Sequence, residues 1–150
     1  MKKDSAKKPT SKSGQDNGMK QFTVEQANAT LPLVRKIVED IVTQYRIWNE
    51  KLNEIDLVAA SGRAADAALA DRLANDAQSL AREIEGFRRE LADLGIQIKD
   101  PGIGLIDFPS TMGNRTVLLC WRLGEPDVAF WHEVNAGYAG RQPLVPESVG

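Results

Sequence analysis

Between Val34 and Ala59 the apolar residues Val34, Val38, Ile41, Tyr45, Trp48, Leu52, Ile55 and Ala59 follow one another at alternating spacings of four and three. Such spacing keeps one stripe on one side of an α-helix and matches the heptad pattern of coiled-coil packing. Ile37, Val42 and Ile47 widen the stripe, so this helix has surface for more than one neighbour. A similar stripe, Leu69, Leu73, Ala77, Leu80, Ile84, Phe87, Leu91 and Leu94, follows the break at Ser61-Gly62, and Gly95 supplies its stop. Two long helices with a short connection pack as antiparallel neighbours, which predicts a helical hairpin over residues 30–95. Ahead of it, Thr23 with Gln26 in capping-box position, and Phe22 placed to staple onto Ala27, predicts a short helix. That helix restarts at Thr30 and Pro32, because proline is tolerated in a first turn.

After Gly95 the period changes from helical to two. Ile96-Gln97-Ile98 alternates, residues 99–104 (KDPGIG) form a turn, and 105–108 is a short strand that Pro109 ends or places at an edge. Residues 116–123 and 128–134 carry the strongest strand patterns, joined as a hairpin through Gly124-Glu125-Pro126-Asp127. A two- or four-residue turn there pairs Leu123 with Val128, Trp121 with Phe130 and Leu119 with His132. Val117, Leu119, Trp121, Leu123, Val128, Phe130, His132 and Val134 then share the face that packs on the helices. Leu118, Cys120, Arg122, Ala129, Trp131 and Glu133 share the other, and a loop of three or five residues breaks the scheme. The expected fold class is α+β: a long antiparallel, coiled-coil-like helical hairpin followed by a small antiparallel β-sheet over 96–145, in one domain from 21 to 145.

Charge changes this picture at the ends of the chain. Six of the 19 basic residues and two of the 21 acidic ones lie in residues 1–20, so this segment nets +4 and the remainder nets −6. The first 20 residues have too little apolar content to offset the entropy of ordering, so they are expected to form a disordered basic tail, with a flexible C-terminus over 146–150. An acidic domain is a poor general phosphate binder, which leaves nucleic-acid association only to the tail, where no aromatic residue is interleaved to stack on bases. No apolar run approaches the roughly 18 residues needed to cross a bilayer, and the basic, polar start lacks the apolar stretch of a secretory signal. With one cysteine and so no internal disulfide, these features point to a cytoplasmic protein without membrane association.

Chemistry concentrates between Arg115 and Pro143, which hold the only Cys, the only His and two of the three Trp. No metal site is expected, since there is no C-x-x-C pair and Ala136 stands where a second His would complete H-E-x-x-H from His132; a carboxylate site using Glu133, Asp107 or Glu125 is the alternative. A Cys120–His132 nucleophilic pair is excluded by the faces above, and Cys120 reads as a small buried hydrophobe. His132 buried beside Asp107 or another carboxylate would have its tautomer fixed and could transfer protons. His132, Glu133 and Asp107 are therefore the candidates for catalysis. Arg122, Trp131, Glu133 and Arg141, beside the glycines of Gly137-Tyr138-Ala139-Gly140, are the candidates for holding a small anionic ligand. The structural alternative is an ion pair between Arg122 and Glu133 across the hairpin.

The segments 22–32 (FTVEQANATLP), 104–109 (GLIDFP), 119–126 (LCWRLGEP), Trp131-His132-Glu133 and 137–143 (GYAGRQP) resemble the bacterial domain of unknown function 2203 family over most of residues 22–144. That resemblance implies a bacterial cytoplasmic setting and brings no activity, cofactor or catalytic residue with it, so the cofactor is left unknown. The functional expectation is a small binding or regulatory module, homodimeric through the helical hairpin. An enzyme using His132 with a carboxylate as acid and base, and nucleic-acid association through the tail, are the alternatives.

Overall fold

The computed structural model describes residues 20–145; the expected basic tail up to residue 19 and the C-terminal end from 146 lie outside the described residues. Helix α1 (Val24–Ser61) and helix α2 (Ala67–Asp93) form a packed hairpin, followed by β1 (Gln97–Asp100), β2 (Leu105–Met112), β3 (Arg115–Arg122), β4 (Phe130–Glu133) and β5 (Gln142–Pro143). The strands form one antiparallel meander in the order β1-β2-β3-β4-β5, so the fold is α+β.

The capping box at Thr23 is present in both directions: Gln26 N–H donates to the Thr23 hydroxyl, and Thr23 N–H donates to the Gln26 side chain, each at 3.0 Å. Phe22 is buried and packs edge-on against Phe108, with ring centroids 5.2 Å apart. No restart occurs at Thr30; α1 runs unbroken with Pro32 inside it. Proline there forfeits the backbone bond to residue 28 and costs about 3 kcal/mol in a helix interior. Ala27, Leu31, Val34, Ile37, Val38 and Ile41 are all buried in the core on either side of Pro32, and this burial outweighs that loss. The helix ends as expected at Ser61, where Gly62 takes the left-handed conformation (φ 66°).

The core lies between the first half of α1, the last turns of α2 and one face of the sheet, and includes Leu91, Ile96, Ile106, Phe108, Leu119, Trp121 and Val128. Pro109 does not end β2, which continues to Met112. Beyond Asp107 the strand has no partner in β1, and the chain leading into α1 fills that edge: Phe22 N–H donates to the Pro109 carbonyl at 2.7 Å, and the Ser110 hydroxyl donates to the Phe22 carbonyl at 2.6 Å. A proline that lacks an N–H fits there because no ladder donor is needed on that side. No helix among the described residues is long and apolar enough to cross a membrane.

The hairpin register differs from the expected one by a single residue. The pairs are Val117 with Glu133, Leu118 with His132, Leu119 with Trp131 and Cys120 with Phe130. Seven residues, 123–129, separate the strands instead of an even number, and contacts with α1 explain the excursion. Val128 N–H donates to the Asn28 side chain at 2.7 Å, the Pro126 carbonyl accepts from Arg35 at 3.3 Å, and the Val128 side chain enters the core. At the near end Trp121 Nε1–H donates to the Glu125 carbonyl at 3.0 Å, while Gly124 takes φ 106°. One residue of shift exchanges faces, because side chains alternate along a strand. Val117, Leu119 and Trp121 face the helices with Trp131, whereas Phe130 and His132 join Leu118, Cys120 and Arg122 on the opposite face.

Candidate functional site

This opposite face carries the buried polar chemistry of the molecule. Asp107 on β2 stands opposite Cys120 on β3, and His132 on β4 stands opposite Leu118, so Asp107 and His132 lean toward each other across β3. His132 Nε2 lies 3.1 Å from Asp107 Oδ1, with His132 2% and Asp107 1% exposed. One ligating atom each from Asp107, Cys120 and His132 lies within 4.8 Å of the others. The face assignment that separated Cys120 from His132 is thereby overturned. The cause is the odd-numbered loop.

The imidazole geometry fixes its protons. Nδ1 sits 2.7 Å from the Glu133 carbonyl, which can only accept, so Nδ1 carries a hydrogen. A single further proton then lies between Nε2 and Asp107 Oδ1, on one or the other, and the pair is neutral overall in either form. Both ring nitrogens are thus engaged, and neither is left to draw a proton from Cys120. Burial pushes the Cys120 thiol up to about 12, against the pull of the nearby Arg141 charge, so it stays protonated at neutral pH. A buried, protonated thiol without a base is no nucleophile.

The structure splits the four residues expected to hold an anion into two pairs on opposite faces of the sheet. Arg141 reaches Glu125 through both terminal nitrogens, at 2.8 Å each, and donates to the Cys120 carbonyl at 3.3 Å. Its guanidinium lies 4.0 Å from the Phe130 ring centroid and 4.8 Å from that of Tyr138, within cation–π range of both. Arg122 lies on the same face, 3.5 Å from the Tyr138 hydroxyl. Trp131 and Glu133 point the other way and gather round Arg115, which is 2.8 Å from Glu133 and 5.6 Å from the Trp131 ring. The anticipated ion pair of Arg122 with Glu133 is replaced by Arg115 with Glu133, again through the shifted register.

Glu125 is the residue whose role sequence reasoning did not find. It accepts the Arg141 fork and the Arg122 backbone N–H (2.9 Å), closing the loop between β3 and β4. Burial raises its carboxyl, but the Arg141 hydrogen bonds and charge together with the Arg122 N–H outweigh this and hold it below the usual range. The same bonds raise Arg141 above its ordinary value against the cost of burial. Arg141 is thus neutralised within the fold, and Arg122 is the guanidinium of this face without a carboxylate partner among the described residues. An acidic residue in a Gly-x-Pro turn, 16 positions before an Arg that follows a Gly-rich run, was the available signal, and no pairwise spacing rule reads it.

Two buried side-chain polar atoms without a hydrogen-bonding partner among the described residues belong to neighbours of Cys120: Asp107 Oδ2 and Arg141 Nε. Open clefts lie elsewhere. One of ≈ 480 Å³ is lined by Lys20, Arg88 and Lys99 at the junction of α2 and β1, and a smaller apolar one by Tyr45, Trp48, Ala81 and Ile84 on the helical hairpin.

Comparison with curated proteins and with solved structures finds no match to either. A family model described as an uncharacterized conserved protein matches residues 20–144, which span the hairpin, the sheet and the Arg141 turn. The chain therefore belongs to the DUF2203 family.

Proposed function

We propose that this protein is a cytoplasmic bacterial binding module that works as a homodimer, the partner docking on the free half of the helical hairpin. The observation that supports this is the position of the sheet along α1. The helix is 38 residues long, about 57 Å at the usual rise, yet its buried residues all lie between Ala27 and Ile41. From Val42 onward α1 packs chiefly on α2, while Val42 and Tyr45 still reach the turn at Gly102–Gly104. Tyr45, Trp48, Leu52 and Ile55 are left half-buried, and with Ile84 and Ala81 of α2 the two aromatic residues line an apolar cleft. A second copy of the same hairpin would complete a coiled-coil-like four-helix bundle and remove this stripe from water.

Sedimentation equilibrium on the full chain tests the reading. At micromolar concentration the mass should be twice that of one chain, and Trp48→Glu combined with Leu52→Glu should give a monomer of unchanged circular dichroism. A wild-type monomer under these conditions rules the dimer out.

The acid–base alternative has one favourable observation, the His132–Asp107 hydrogen bond. The burial of both side chains gives a substrate no route to that proton.

A further inference from the structure

We propose that Asp107, Cys120 and His132 form a binding site for one transition-metal ion of the zinc class, distinct from the helical surface that carries the proposed dimer. Carboxylate oxygen, thiolate sulfur and imidazole nitrogen are the three side-chain donors that zinc takes, and here they come from three adjacent strands of one sheet face. Zinc bonds of about 2.0–2.3 Å place tetrahedral ligand atoms roughly 3.3–3.6 Å apart. The Asp107–His132 pair already stands at 3.1 Å, and no pair of ligand atoms in the group exceeds 4.8 Å, so closure needs about 1 Å of side-chain movement.

Two further observations point to a ligand. Asp107 Oδ2 is buried with no partner, although a carboxylate oxygen taken out of water costs free energy unless something donates to it or coordinates it. His132 Nδ1–H is bonded to the Glu133 carbonyl at 2.7 Å. That bond holds the ring with Nε2 turned toward Asp107, so that an ion taking the place of the shared proton meets both ligands, the second-shell arrangement by which metal-binding histidines are oriented.

Charge and protons balance. A divalent ion entering the site displaces the thiol proton of Cys120 and the single proton held between Asp107 and His132, while Nδ1–H stays in place. Two positive charges replace two protons, so the sheet face keeps its net charge, and the adjacent Arg141–Glu125 pair is already neutral. All three ligands are buried, so the ion enters as the chain folds and exchanges slowly afterwards.

The experiment uses the full chain without a histidine tag, unfolded and refolded with Zn²⁺ or Co²⁺ under reducing conditions. The chain has one Cys and one His, so any thiolate or imidazole ligation reports this site alone. The expected result is one zinc per chain retained through gel filtration, and a Co²⁺ form with a sulfur-to-metal charge-transfer band that Cys120→Ser abolishes. Cys120→Ser and Asp107→Asn should each weaken zinc binding at least about tenfold. Should a variant not fold, X-ray absorption on the wild-type zinc form decides the matter by showing one sulfur among lighter ligands. Refolded protein with native circular dichroism and no retained zinc overturns the proposal, as does a zinc shell without sulfur.

Discussion

Leu118 stands opposite His132 across β3 and β4, and that pairing carries the only histidine of the chain over Cys120 to within 3.1 Å of Asp107. With the Glu133 carbonyl as acceptor, His132 in the metal-free protein keeps a hydrogen on Nδ1. Long-range proton–nitrogen NMR of the folded chain should show Nδ1 in the protonated range at neutral pH. An unprotonated Nδ1 would mean that the Glu133 bond is absent in solution.

Arg141 and Glu125 should behave as one unit. Replacing Arg141 by Met leaves a largely buried carboxylate unpaired and should cost about 3 kcal/mol of stability. Glu125→Gln with Arg141→Met should cost less than the sum of the two single changes. A double-mutant cycle in urea measures the coupling, and additive losses would show that the two side chains act independently.

The same pair predicts an acid limit. Glu125 is held below its ordinary value when folded, so its contribution is present above the unfolded value of about 4.3 and is lost as pH falls through the lower folded value. Urea midpoints measured from neutral pH down to about 3 should fall more steeply for the wild type than for Glu125→Gln. Parallel curves would count against a lowered Glu125.

Gly104 is predicted to be the least replaceable turn glycine. Its φ is +71°, and an added Cβ would come within 2.8 Å of Leu123 Cβ and 2.9 Å of Val38 Cγ1, both rigidly placed. Gly104→Ala should lose about 2–4 kcal/mol from strain and overpacking together. Gly113 has a similar φ of +65° with open space around it, so Gly113→Ala should lose only about 1 kcal/mol. Equal losses in chemical denaturation would show that conformation, and not the approach of β2 to α1, sets the requirement.

Thr23→Ala removes the hydroxyl that caps α1 and should cost about 1 kcal/mol, read as a lower urea midpoint with an unchanged slope. A change in slope would instead indicate that the first turns of α1 unfold separately from the rest.

The helical hairpin was legible because its signals are local. Heptad spacing, the Thr23–Gln26 capping box and Gly62 each act within one or two turns, and the break at Ser61-Gly62 follows from them. The continuity of α1 through Pro32 was not legible, because burial against a distant sheet offsets a local penalty. The strands were found from period-two patterning, apart from Lys99 and Asp100 of β1, which were expected in a turn, the shorter span of β4, the extension of β2 to Met112 and the two residues of β5. The last two depend on partners outside the strand's own segment: the stretch before α1 for β2, and β4 for β5.

The sequence by itself determined which residues are apolar, the cap at Thr23 and the break at Ser61-Gly62 that bound the first helical stretch, and that the only Cys and only His lie on neighbouring strands. Tertiary structure alone decided which face each strand residue takes. The pull of Asn28 and Arg35 on the loop between β3 and β4 makes that loop odd in length, and with a side-chain period of two, one residue moves His132 from the expected apolar face to Asp107 and Cys120. Pairing across the sheet likewise spends the charge of Arg141 on Glu125 and that of Glu133 on Arg115. Local periodicity cannot fix that choice, because both registers satisfy the same alternation of side chains, and only the contacts made by the loop distinguish them.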